Sequence, residues 1–212
     1  MTNTENDKLW ESYFYPETEI LINNLNIKDQ EKLKEAEATI SFEKLLELNT
    51  NPLNLGLGKK HLKELHKFIF SDVYPFAGQY RKANMQKKIG SFLFIKDENT
   101  IDNYLDQIFD EVNEKLKRSF TKYDFSETLA YLYTKLIYVH PFREGNGRTI
   151  REFLREFSIA KSKKIGMEPV ELDWRLINKE DLNKYLEVAH MFPGATALLF
   201  HDALVDIKTM NI

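Results

Sequence analysis

A mainly α-helical fold is predicted by three features of the sequence. Apolar residues recur at three-to-four spacing in at least five separate windows, the mark of helices that each bury one face. Strand-like alternation is confined to one short region, residues 79–95. With 42% hydrophobic residues in 212, the chain has material for a sizeable core.

Taken in order, residues 1–8 are polar and are expected to be frayed and solvated. Trp10, Tyr13, Phe14 and Tyr15 follow, ending at Pro16; almost no basic residues interleave, so they read as an arm docked on the core and not as a stacking platform for bases. Residues 29–49 form a charged amphipathic helix with Leu33, Ala36, Ile40, Leu45 and Leu48 on its apolar side. The run 50–58, Thr-Asn-Pro-Leu-Asn-Leu-Gly-Leu-Gly, is a linker by its turn chemistry, and divides an arm and helix (1–58) from a core (59–212). A helix from Lys59 buries Leu62, Leu65, Ile69 and Phe70. His61 and His66 stand five apart on it, hence on different faces, and are read as polar partners in the fold and not as metal ligands.

Runs at 79–85 and 91–95 flank a Lys-Lys-Ile-Gly turn and predict a small hairpin, which must lean on the helices because two strands alone are marginal. Another helix spans Thr100–Lys117. Ser126 is the expected N-cap of the next, whose buried face carries Leu129, Leu132, Tyr133, Leu136 and Ile137. That helix should stop near Val139, since Pro141 disfavours helical geometry at the residue before it. Ile150, Phe153, Leu154 and Phe157 mark its successor, closed by Gly166 and Pro169. Helical turns at 174–177 and 179–188, the latter capped by Asn178, and an apolar stretch 195–205 complete the chain.

The chemistry concentrates between the two best-marked helices, in His140-Pro-Phe-Arg-Glu-Gly-Asn-Gly-Arg-Thr-Ile-Arg151. Unpaired N–H groups and the positive dipole end at a helix start form a ready phosphate site. Gly145 and Gly147 let the backbone approach an anion closely. Arg148 and Arg151, three apart on one face, suggest a polyphosphate, because each guanidinium grips phosphate oxygens in a fork. Glu144 suits the magnesium of a nucleotide, which takes only one or two protein carboxylates. His140 is the natural general base for a substrate hydroxyl. A P-loop is excluded, since no Gly-Lys-Ser/Thr follows. A plain surface turn would explain Glu-Gly-Asn-Gly-Arg alone, but not with His140, Phe142 and both arginines in register.

This run resembles the signature of the Fic family, His-x-Phe-x-Asp/Glu-Gly-Asn-Gly-Arg-x-x-Arg, at every defined position: His140, Phe142, Glu144, Gly145, Asn146, Gly147, Arg148 and Arg151. The Tyr-Phe-Tyr-Pro-Glu-Thr segment at 13–18 is similar to the N-terminal part of many Fic proteins. The resemblance implies a Fic fold, a helical bundle with a hairpin flap beside the active-site loop, and transfer of AMP from ATP to a Tyr, Thr or Ser hydroxyl of a target protein. It implies His140 as base, Glu144 on magnesium, Gly145-Asn146-Gly147 as the anion hole, Arg148 and Arg151 on the outer phosphates, and Phe142 as the core anchor. It also implies that residues 84–95 hold the target segment by backbone pairing, with Ile89 or Phe92 as clamp side chains.

The same signature admits three other readings. A related transferase could use another nucleotide, phosphocholine or phosphate, although Gly147 argues against the phosphate branch, where lysine is typical. An AMP-removing enzyme would usually need an inhibitory-type glutamate, and a non-catalytic ATP-binding module would leave the intact motif unexplained. The inhibitory pattern Ser/Thr-x-x-x-Glu-Gly/Asn has one approximate match, Thr39 to Glu43, where Lys44 replaces Gly or Asn. Inhibition is therefore expected in trans, from a small antitoxin-like protein that supplies the glutamate.

Net charge is −3, from 30 basic and 33 acidic residues, so nothing in the overall charge argues for nucleic acid or a membrane surface as partner. Zero cysteines exclude disulfides and thiol chemistry and fit a reducing compartment. No secretory signal or membrane-length apolar run is visible, and a cytoplasmic location is expected, with export by a host-injection machine as the other route.

Overall fold

The computed structural model describes residues 3–53, 55–85, 93–119, 121–188 and 195–207. In chain order it forms α1 (Asn3–Glu11), α2 (Gln30–Thr50), α3 (Lys59–Phe70), α4 (Thr100–Leu116), α5 (Lys122–Val139), α6 (Asn146–Lys164), β1 (Val170–Leu172), a 3-10 turn (Trp174–Leu176), α7 (Lys179–Val188), α8 (Ala195–Ala203) and β2 (Leu204–Asp206). The centre is the pair α5 and α6. Helices α4 and α8 pack on α5, whereas α3 and β1 pack on α6, and α2 covers α3. Phe125, Leu129, Leu132 and Leu136 from α5 meet Ile150, Phe153, Leu154 and Phe157 from α6 in a continuous apolar core. No described helix is long and apolar enough to cross a membrane.

Helix starts differ from expectation at two places. Residues 3–11 are helical instead of frayed, because Asn6 accepts from the Asn84 N–H and the following aromatics dock. Helix α5 begins four residues before Ser126: Thr121 and Asp124 form a reciprocal capping box, which satisfies two donors where Ser126 would satisfy one. Ser126 is buried and bonds back to the Tyr123 carbonyl. Asn178 does cap α7, accepting from the Glu180 and Asp181 N–H groups.

The apolar stretch from Ala195 ends as a strand, β2, antiparallel to β1 with Leu172 opposite Leu204. The outer edge of β1 is closed by α6, whose Ser158 and Ser162 hydroxyls accept from the Leu172 and Val170 N–H groups at 2.9 and 3.1 Å. Around the expected hairpin, described residues 79–85 and 93–95 carry no strand ladder. They are tied instead by side chains. The Asn84 amide both accepts from and donates to the backbone of Ile95, and Arg81 donates to the Leu93 carbonyl. Ile89 and Phe92 lie outside the described residues.

Candidate active site

His140 is the C-cap of α5 and adopts left-handed backbone angles, φ 45° and ψ 62°. Only a few per cent of non-glycine residues do so, at a cost of about 1–2 kcal/mol, so the surroundings must hold it there. Helix α6 starts six residues later at Asn146, and its N-cap Gly145 carries no side-chain cap. His140 and an open helix N-terminus are thus the two ends of one short loop.

Each loop residue is fixed by a nameable contact. Phe142 is fully buried and stacks on His66 at 3.8 Å between centroids. Asn146 is buried too, and its amide accepts from the Phe142 N–H and donates to the Phe142 carbonyl. Its side chain therefore clamps the loop. Gly145 has φ +77°, and a Cβ there would lie 2.3 Å from Phe70. Only glycine fits both constraints. The Gly145 N–H donates to Glu144 Oε1, and Thr149 returns a bond to the Gly145 carbonyl.

His66 proves more closely tied to the loop than its spacing from His61 suggested. Its Nδ1 accepts from the Gly78 N–H at 2.8 Å, so its Nε2 carries the proton and donates to the Glu144 carbonyl at 2.9 Å. Burial drives its pKa down to about 4, with the Glu144 bond a smaller opposing influence. The imidazole is a neutral strut between loop and core. His61, by contrast, pairs with Glu156 at 2.6 Å in the interior, linking α3 to α6 away from the loop.

The two arginines part company. Arg148 donates to Ser41 Oγ at 2.9 Å, forms an ion pair with Glu37, and lies over the Phe70 ring. Tyr74 in turn donates to Glu37, and burial, followed by the Glu37 carboxylate, pushes its hydroxyl pKa up. Arg151 keeps its side chain at the surface next to Gly147. Withdrawal of water by its neighbours and, to a lesser degree, the Arg148 charge set its pKa below the ordinary value. Glu43 of the approximate inhibitory match is exposed; the α2 glutamate that reaches a motif arginine is Glu37, and it takes Arg148.

Glu144 is half-buried and lines a cavity of about 200 Å³ together with Glu37, Tyr74, Leu33 and Lys34. Among the described residues no cluster of three or more His, Asp or Glu could hold a metal by itself. Within the loop, Arg143 is buried beneath an aromatic box of Trp10, Tyr13 and Phe14, with its guanidinium 4.2 Å from the Trp10 ring centre. The aromatic arm therefore docks directly behind the active-site loop. Sequence spacing gave no sign of His66, Glu37, Tyr74 or Arg81 as neighbours of the loop, because all four arrive from distant segments.

A helical domain whose central helix pair carries a left-handed histidine at one helix end and a helix start without a side-chain cap at the next has the fold and loop of a Fic domain. The Fic/DOC family profile matches residues 56–158, and the chain belongs to that family. It is 30% identical over 175 residues to the probable protein adenylyltransferase Fic of Escherichia coli K12, a match covering 81% of this chain and 80% of the relative. It is 31% identical over 173 residues to the protein adenylyltransferase VbhT of Bartonella schoenbuchensis, but that match spans 34% of the longer VbhT chain. Among solved structures, the N-terminal Fic domain of a VirB-translocated Bep effector from Bartonella quintana, determined with bound ADP, superposes with a TM-score of 0.77 over 94% of this chain and 97% of that one, at 24% identity. BepC from Bartonella tribocorum, determined with bound AMPPNP, gives 0.73 over 92% and 97%, at 22% identity.

Proposed function

We propose that this chain is a protein adenylyltransferase that moves AMP from ATP to a Tyr, Thr or Ser hydroxyl of a target protein, with His140 as general base. The observation that carries the reading is the loop itself: a base on the C-cap of α5 and an uncapped α6 N-terminus, held together by Phe142, His66 and Asn146. The names of the relatives support the reaction class.

In this reading the N–H groups of residues 146–148 receive phosphate oxygens, and Arg151, whose side chain reaches solvent, takes the outer phosphate. Arg148 contributes charge from a fixed position on Glu37 and Ser41. His140 removes the proton from the target hydroxyl as its oxygen attacks the α-phosphorus, and pyrophosphate departs. The residues fit a nucleotide-borne magnesium, since Glu144 offers one carboxylate on a cavity at the phosphate end, and such an ion keeps most of its shell as water and phosphate. The ion would neutralise phosphate charge. Residues 84–95, with Ile89 and Phe92, would dock the target, and residues 1–58 would serve the core as arm and covering helix. A small protein presenting a glutamate to Arg151 would inhibit in trans.

Intact-protein mass spectrometry tests the reaction. Wild-type protein incubated with ATP, magnesium and a cytosolic lysate should place an AMP-sized increment on itself or a lysate protein. The His140→Ala variant should bind ATP and place none. Transfer by that variant would rule out the assignment of the base.

A further inference from the structure

Four consecutive carbonyls at the end of α5, those of residues 138 to 141, are satisfied by the two segments that flank residues 86–92. Leu93 N–H donates to Tyr138 at 3.0 Å. Arg81 accounts for the other three. Its Nη2 donates to Val139 at 3.2 Å, its Nε to His140 at 2.7 Å, and its backbone N–H to Pro141 at 2.8 Å. The same guanidinium also donates to Ala83 at 2.9 Å and to Leu93 at 2.7 Å. A helix end leaves its last carbonyls without partners, and a cation there is favourable to the dipole. At this end one guanidinium serves two of the four carbonyls, and the same residue's backbone N–H serves a third.

Arg81 is unusual in two further respects. It is 3% exposed, and among the described residues it forms no ion pair with a carboxylate. A buried guanidinium without a counter-ion is costly unless its donors are used, and here it makes four hydrogen bonds, all to backbone carbonyls. Among the backbone they hold is that of His140, in a left-handed conformation that few non-glycine residues adopt.

We infer that Arg81 is a positioning residue that fixes the backbone of His140 and couples it to the two segments flanking residues 86–92, so that displacement of either segment moves the base. The inference rests on His140 being the base of the proposed reaction, and assigns that base a mechanical partner 59 residues away in sequence. Arg81 touches no reacting atom. Its planar fork matters more than its charge, because a lysine ammonium is a compact point charge that cannot reach carbonyls in three directions from one plane.

Two variants and two readouts test it. The first readout needs no catalysis: in isotope-labelled protein, the HN–Hα coupling of His140 reports φ, and amide exchange of Leu93 reports its bond to Tyr138. Arg81→Lys and Arg81→Gln should both change the His140 coupling and speed Leu93 exchange by about tenfold, while Leu105 in the core keeps its wild-type rate. Asn84→Ala, which removes the tie between Asn84 and Ile95 but leaves every bond of Arg81, should preserve the His140 coupling. The second readout is kinetic: at saturating ATP, Arg81→Lys should lower kcat for AMP transfer by about ten- to hundredfold, with ATP affinity held within about twofold. Unchanged His140 coupling and Leu93 exchange in both Arg81 variants would overturn the inference. So would a loss of ATP binding in proportion to kcat, which marks general damage to the fold. Failure of wild-type protein to transfer AMP would count against the proposed reaction, and the magnetic-resonance readout would still decide the role of Arg81.

Discussion

Gly145→Ala is the sharpest test of how the loop is built. Two independent penalties meet at this position. Its φ of +77° lies in the left-handed region, where an L side chain costs about 1–2 kcal/mol. The new Cβ would also sit 2.3, 2.5 and 2.9 Å from three ring atoms of Phe70, which is itself fully buried and packed against His66 and Arg148. Overpacking of this kind costs about 1–3 kcal/mol. Together they predict about 2–5 kcal/mol of destabilisation, and at about 2–4 °C per kcal/mol for a chain of this size, a fall in Tm of roughly 4–20 °C. Thermal melts and urea unfolding of wild type, Gly145→Ala, Phe70→Leu and the double variant would separate the two penalties. Phe70→Leu should recover the steric part in the double variant and leave the backbone part, giving a coupling energy of about 1–3 kcal/mol. A Gly145→Ala protein within about 1 °C of wild type would refute the reasoning.

Three more predictions concern contacts elsewhere in the fold. His66 has a folded pKa of about 4 against an ordinary 6.5, so below pH 6.5 the unfolded chain binds a proton that the native protein refuses. Stability should therefore fall by about 3 kcal/mol as pH drops from 6.5 to 4, and His66→Gln, measured by urea unfolding across that range, should flatten this limb of the profile. Thr121→Ala removes one half of the α5 capping box and should cost about 1 kcal/mol, read as a Tm lower by about 2–4 °C with no change in ATP affinity. Glu37→Ala strands the half-buried Arg148, and urea unfolding should show a loss of about 1–2 kcal/mol after allowance for the partial exposure of the pair; an unchanged midpoint would mean that α2 is held on the core by its apolar face alone.

Sequence patterning located most helices to within a few residues because their apolar faces repeat at the helical period regardless of what covers them. Helix α2 at 30–50 and helix α3 at 59–70 are examples. It failed at Ser126, where a better cap lay five residues upstream; at 195–205 it marked an apolar stretch but assigned no element, and the structure divides it into a helix and a three-residue strand. The roles expected of loop residues were legible in kind but not in division of labour. Asn146 is a clamp on Phe142, and Arg148 is engaged by Glu37 and Ser41 while Arg151 stays at the surface.

What the sequence determined by itself is therefore local: the helices, the turn-forming glycines, and a base, an acid and two arginines within twelve residues, all set by periodicity and by the chemistry of neighbouring side chains. What only the tertiary structure decided is which distant groups hold that loop in working geometry. Arg81 on the end of α5, His66 beneath Phe142 and Glu37 across from Arg148 lie 59, 76 and 111 residues from their partners. Such pairings carry no spacing rule in one dimension. They exist because burying the core brings those segments together, and because each buried carbonyl, imidazole and guanidinium must then find a partner or cost the fold its desolvation.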